Sequence, residues 1–218
     1  MKSSDITVEY IDHCGSDISV VNAARVSFNR ESKKESVLSE KDTKLIQYLA
    51  KHNHKSPFNH AFLSFRVKAP LFCARQLVKH EYLPWNEVSR RYVDEEVEFY
   101  VPKEWRSRPQ ESIKQGSGDI IYNNMYVVDR CNIFTEESKQ LYEELLSMNI
   151  APEQARMILP QNMMTSWIWS GTLFAFVKML KLRLDPHTQQ ETQEVAKQLS
   201  KYVEQLFPIS YQALMENK

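Results

Sequence analysis

The hydrophobic period of this chain changes at Pro70, and that change constrains its fold more than any other feature. Before it, Leu63, Phe65 and Val67 alternate with Ser64, Arg66 and Lys68, the period of a strand with one buried face. After it, Phe72, Cys73, Leu77 and Val78 recur at helical spacing and predict a buried stripe, while Gln76, Lys79 and His80 fall on another face. The pair Leu83-Pro84 ends that helix. A strand feeding a helix invites comparison with nucleotide-binding folds, yet neither Gly-x-Gly-x-x-Gly nor a lysine-bearing phosphate loop follows, and the chain has four glycines in all. An anion bound here has to be held by side chains.

The remaining periodicities predict a short strand over Ile6 to Ile11 and a helix from an N-cap at Ser39, with Asp42 reaching back, to about His52. Ser56-Pro57 reads as a second helix start, Val97 to Val101 as a strand ended by Pro102, and 106–119 as a polar surface loop. A long amphipathic stretch from Ile121 to Met148 is expected to break at Ile133 to Thr135, with Thr135 as a cap. Pro152 starts a helix through Arg156 to Leu159, Trp167-Ile168-Trp169 is a strand or buried turn in the core or at a subunit interface, and Phe174 to Leu182 is helical. Asp185-Pro186 reads as the cap of a closing helix with Val195, Leu199, Val203 and Leu206 on its apolar face. Long helices outweigh a few non-adjacent strands, so the expected class is α+β, one domain over 1–218, rather than a regular βαβ array.

Lys and Arg together equal Asp and Glu at 28 each, so a basic site must be a local concentration and not a global field; a nucleic-acid-coating role does not fit. The cysteines Cys14, Cys73 and Cys131 are widely spaced, with no Cys-x-x-Cys pair, which argues against a disulfide framework or thiolate zinc site. No apolar run reaches membrane-spanning length and the first residues lack a signal-peptide core, so a soluble, cytoplasmic protein is expected.

Residues 75–92 concentrate four cations, one imidazole, two carboxylates, a serine and two amide side chains beside an apolar helix, the footprint of an anionic-ligand site. Guanidinium groups suit phosphate oxygens, and Arg75, Arg90, Arg91, Arg156 and Arg183 are the candidates. A single arginine is ordinarily a solvated surface charge; clustering about Asn86-Glu87-Val88-Ser89 sets Arg90 and Arg91 apart. His52, Asn53, His54 and His60 lack a nearby acidic partner for a metal site, and Ser89 near His80 lacks the glycines of a nucleophile elbow.

Read as a whole, 75–92 resembles the signature of the flavin-dependent thymidylate synthases, the ThyX family: Arg-His-Arg, seven residues, Ser. Here the stretch is Lys79-His80-Glu81, seven residues, Ser89. Further blocks look like the family's, in its order: Ala24 to Phe28, His54 to His60, Ala69-Pro70, Arg75-Gln76, Asn86 to Tyr92, Glu98 to Tyr100, Ala155 to Pro160, and Leu182-Arg183 followed by Asp185 and His187.

The resemblance implies a ThyX-like fold, a mixed or antiparallel sheet with long helices, assembled as a homotetramer with active sites shared between subunits. It implies reductive methylation of dUMP to dTMP with methylenetetrahydrofolate, FAD, and NADPH as reductant. Arg183 matches the position that activates the uracil ring. Gln76, Lys79, Glu87, Val88, Ser89, Arg90, Arg91, Arg156 and Arg183 match the nucleotide side. His54, Ser56, Lys79, His80, Glu81, Asn86, Glu87, Lys178 and His187 match the flavin side. The departures fall mainly on that second side: Lys79 and Glu81 replace arginines, Thr172 and Phe174 stand where the family shows Asn and Arg, and Lys178 replaces Asn. Arg90 replaces a glycine at a substrate turn. A carboxylate at 81 near a cofactor diphosphate calls for a compensating cation, and Lys178 is the candidate. These departures motivate two alternatives: a folate-dependent 5-hydroxymethylase of a pyrimidine nucleotide without the hydride step, and a non-catalytic nucleotide-binding homologue.

Overall fold

The structure, a computed structural model, describes residues 2–29, 37–93, 96–109, 116–122 and 124–217. Along the chain lie β1 (Lys2–Ser3), β2 (Thr7–Cys14), α1 (Asp17–Arg25), α2 (Glu40–Lys51), β3 (Phe62–Pro70), α3 (Leu71–Leu77), β4 (Trp85–Glu87), β5 (Glu98–Phe99) and α4 (Met125–Ser147). They are followed by α5 (Pro152–Ala155), β6 (Met164–Thr172), α6 (Leu173–Arg183), α7 (Gln190–Leu206) and α8 (Pro208–Glu216). The antiparallel sheet runs β2-β3-β6-β4, and β1 pairs with β5 in parallel, giving the expected α+β class.

The alternation that opens the sequence reading sets the centre of the sheet. Leu63, Phe65, Val67 and Ala69 are all fully buried, and they pair across to β6, with Phe65 opposite Trp169 and Val67 opposite Trp167. Trp85 of β4 stacks on Trp167 with ring centroids 4.1 Å apart, so the tryptophans belong to the core. Helices α6, α7 and α8 pack together on this layer. Their apolar stripe includes Phe176, Val195, Leu199 and Val203, all essentially buried. A smaller cluster around Phe99, Tyr142, Leu159 and Met163 joins β5, α4 and the segment before β6.

Both central strands run directly into helices, β3 into α3 at Pro70 and β6 into α6 at Thr172, whose hydroxyl accepts the Ala175 N–H at 3.2 Å. Close approach shapes the second junction. Gly171 lies against the turn at 82–83, where an added Cβ would sit 2.3 Å from Leu83 Cδ2 and 3.0 Å from the Tyr82 carbonyl oxygen. Tyr82 itself takes a left-handed φ of 61°.

Several boundaries differ from the sequence reading. The helix after Pro70 stops at Leu77, so Lys79 and His80 sit in a turn, Val78 is exposed, and the stripe is Cys73, Ala74 and Leu77. Helix α4 is unbroken: the Thr135 hydroxyl donates back to the Cys131 carbonyl at 2.8 Å, a bond made inside a helix and not a cap. Ser56 is the first residue of a 3-10 turn, Ser56–His60, and does not cap it. Asp185 accepts the His187 N–H at 2.8 Å and so closes a turn; α7 begins five residues later, at Gln190. β4 and α8 were not anticipated. The strand at 97–101 shortens to β5, β2 reaches Cys14, and residues 110–115 of the expected polar loop lie outside the described residues.

Candidate functional site

Three concave regions collect most of the sequence candidates. The first, about 570 Å³, is lined by Gln76 from α3, Lys79 from the following turn and Arg183 from the end of α6. The second, about 830 Å³, is lined by Arg75, Glu87, Val88, Arg90 and Arg156. The third, about 220 Å³, holds His54 and Lys178 with Phe174 and Lys181. Arg75 and Gln76 are neighbours on α3 yet face different cavities, and no nucleotide-side residue lines both of the first two.

In the first region Arg183 Nε donates to His80 Nε2 at 2.9 Å. Burial, with Arg183 and Lys178 close by, pushes the His80 imidazole down to about 4, so at neutral pH it is uncharged and can accept that bond. The acceptor role at Nε2 puts the ring proton on Nδ1. Burial also lowers the Arg183 pKa, though a guanidinium keeps its charge in any ordinary buffer. The result is a cation aimed by a neutral partner.

Gln76 is fixed as firmly. Its Nε2 donates to Gln189 Oε1, and its Oε1 accepts from Thr192 Oγ1 at 3.2 Å. Gln189 Nε2 donates in turn to Glu191 Oε2 at 3.2 Å, and the Arg106 guanidinium donates to Glu191 Oε1 from the other side. Arg106, Gln189, Glu191 and Thr192 were absent from the sequence candidates. One signal did exist: continuing the Val195 and Leu199 stripe backward by a helical turn lands on Glu191 and Thr192, polar residues on a core face.

In the second region Glu98 is held down to about 2 by hydrogen bonds from Lys2 and Lys68, which commits those two cations. The guanidinium groups on the same wall are those of Arg75, Arg90 and Arg156, the last donating through Nε to the Glu153 carbonyl at 3.4 Å, and Glu87 accepts from Thr165 at 2.7 Å and from the Trp85 indole at 3.1 Å. Ser89 lies beside this cavity and not on its wall; its hydroxyl accepts from Arg91 Nε at 3.3 Å, while Arg91 stacks over the Tyr92 ring at 4.9 Å. Asn86 sits in β4 opposite Ile168.

Near the third region Lys178 Nζ lies 3.5 Å from Glu81 Oε2, the charge compensation expected from the sequence. Both side chains are largely exposed, so the pair contributes little to stability. Lys55 lies over the Phe174 ring at 5.6 Å. Ser56 and His187 line none of the three regions; the His187 backbone packs against Gly116. The sequence candidates thus divide among three separate concave regions, with Ser56, His80, Glu81, Asn86, Ser89, Arg91 and His187 off their walls.

The family model described as "Thymidylate synthase complementing protein" matches residues 9–209. A flavin-dependent thymidylate synthase of Thermotoga neapolitana is 38% identical over 209 residues, 96% of this chain and 90% of that protein. One from Thermus thermophilus is 34% identical over 96% of this chain and 76% of its own length. Among solved structures, a UMP/dUMP methylase, PolB from Streptomyces cacaoi bound with 5-Br dUMP, superposes with a TM-score of 0.89 at 32% identity, covering 100% of this chain and 98% of that one. The same protein with 5-Br UMP gives a TM-score of 0.84. With the strand-to-helix junctions, the His80–Arg183 pair and the arginine-lined cavity in one chain, these likenesses have one meaning: this chain belongs to the thymidylate synthase complementing protein family, that of the flavin-dependent thymidylate synthases.

Proposed function

We propose that this chain is a flavin-dependent thymidylate synthase that converts dUMP to dTMP with a one-carbon unit from methylenetetrahydrofolate, FAD as cofactor and NADPH as reductant. The observation that carries the reading is the Arg183 guanidinium held by His80 on the wall that also presents Gln76. Uracil C5 becomes nucleophilic as negative charge develops over N3 and O4, and a fixed cation stabilises that charge without giving up a proton. With Nε–H spent on His80, the Nη donors of Arg183 are left for the base.

The remaining nucleotide contacts fall to Gln76, Lys79, Glu87, Val88, Ser89, Arg90, Arg91 and Arg156. Gln76 and Lys79 line one cavity and Glu87, Val88, Arg90 and Arg156 another, with Ser89 and Arg91 beside the second, a division that supports an active site completed by a second copy, in a homotetramer. Charge and an aromatic face near the third region support the flavin reading. Lys178 offsets the Glu81 carboxylate, Lys79 and Lys181 add positive charge, and Phe174 offers an aromatic face beside His54. His54, Ser56, Lys79, His80, Glu81, Asn86, Glu87, Lys178 and His187 would hold it, and the flavin, when bound and reduced, would supply hydride chemistry there.

The likeness to a UMP/dUMP methylase favours a second reading in which UMP is accepted beside dUMP. One assay tests both: the purified protein with methylenetetrahydrofolate, FAD, NADPH and either nucleotide, read by product mass. A methylated product is expected. A hydroxymethyl product would instead support the hydride-free alternative, and nucleotide binding without turnover the non-catalytic one.

A further inference from the structure

We propose that Arg106 and Glu191 are positioning residues that set the polarity with which Gln76 meets the nucleotide; this rests on the reading of Gln76 as a nucleotide contact. The hydrogen bonds about Gln76 run in one direction. Thr192 donates to Gln76, Gln76 to Gln189, and Gln189 to Glu191, where the chain ends on a carboxylate that also receives the Arg106 guanidinium. The end groups allow no other order. A guanidinium only donates and a carboxylate only accepts, so Gln189 must turn its amino group to Glu191 and its carbonyl to Gln76. Gln76 must then turn its amino group to Gln189, which leaves its carbonyl to Thr192.

Burial makes the arrangement binding. The Glu191 side chain is 7% exposed and that of Arg106 18%, so either charge left alone would carry a desolvation cost. Arg106 is itself anchored, donating through Nε to Ser117 Oγ at 2.7 Å and through Nη1 to Gln190 Oε1. Arg106, Gln189 and Glu191 line the same cavity as Gln76 and Arg183, so the relay is part of that wall and not remote support. A free glutamine amide flips readily, exchanging a donor for an acceptor at the same place; the relay forbids the flip. One cavity wall therefore presents a donor and an acceptor at fixed positions.

The test is a double-mutant cycle on dUMP binding by calorimetry, with the full-length protein. Gln76→Ala should weaken dUMP on the order of tenfold, the loss of about one hydrogen bond. Glu191→Gln, nearly isosteric, should weaken dUMP by a comparable factor in the wild-type background and by about onefold in the Gln76→Ala background. KM for dUMP should rise more than kcat falls. Gln189→Leu breaks the relay at its half-buried midpoint and should repeat the same pattern, which keeps the test decisive if Glu191→Gln fails to fold. An equal loss in both backgrounds, or no loss in the wild-type background while Gln76→Ala does weaken binding, would overturn the relay. If Gln76→Ala leaves dUMP affinity unchanged, the assignment of Gln76 as a nucleotide contact falls, and the relay with it.

Discussion

Arg183 and His80 fix each other's chemistry. Replacing Arg183 with Ala should reduce turnover by on the order of a hundredfold or more while dUMP affinity changes less, because charge on the base develops mainly in the transition state. Unchanged turnover in the product assay would remove Arg183 from that role. His80, with its imidazole pushed down to about 4, should contribute to stability above the ordinary histidine range, and that contribution should be lost as pH falls from about 6.5 toward 4. The unfolded chain takes up the proton first in that window. A melting-temperature series should show the decline, and His80→Gln should flatten it; the same slope in both proteins would assign it elsewhere. Both residues were legible in the sequence, since they match a family pattern. The relay was not, because Arg106 and Glu191 stand 85 positions apart and only the fold joins them.

At the level of elements, legibility followed locality. The Ser39 cap of α2 closes within three residues, the Ser39 N–H donating to Asp42 at 2.9 Å, and it was read correctly. The alternation in β3 was equally plain because one face is buried throughout. Where a residue could serve two local geometries, the reading chose the wrong one: Thr135 bonds back within α4, and Asp185 closes a turn short of α7. β4 spans only Trp85–Glu87 and owes its existence to pairing with β6, which no local pattern announces. Gly171 tests the junction of β6 and α6. Its Ala variant should lose about 1–3 kcal/mol in chemical denaturation, since Leu83 and the Tyr82 carbonyl stand in the way of a Cβ. Adding Leu83→Ala should make the two losses less than additive. Full additivity would show that the turn does not press on this strand.

For the whole molecule, the division of the proposed nucleotide contacts between two cavities leads to a mixing experiment. Gln76→Ala and Arg156→Ala proteins, each impaired alone, should recover about a quarter of wild-type dTMP formation when co-expressed in equal amounts, since about one composite site in four would have both halves intact. No recovery in verified mixed oligomers would place all contacts within one chain. A shared-site assembly is expected from the sequence only through resemblance; which residues share a wall is not legible there, because Arg75 and Gln76, adjacent in the chain, turn to different ones.

That short helix also has a genetic consequence. On the shared-site reading, point alleles at Gln76 and Arg156 would complement one another in a merodiploid, each supplying the half the other lacks. An allele that breaks α3 itself, such as Ala74→Pro, would displace Arg75 and Gln76 together and complement neither.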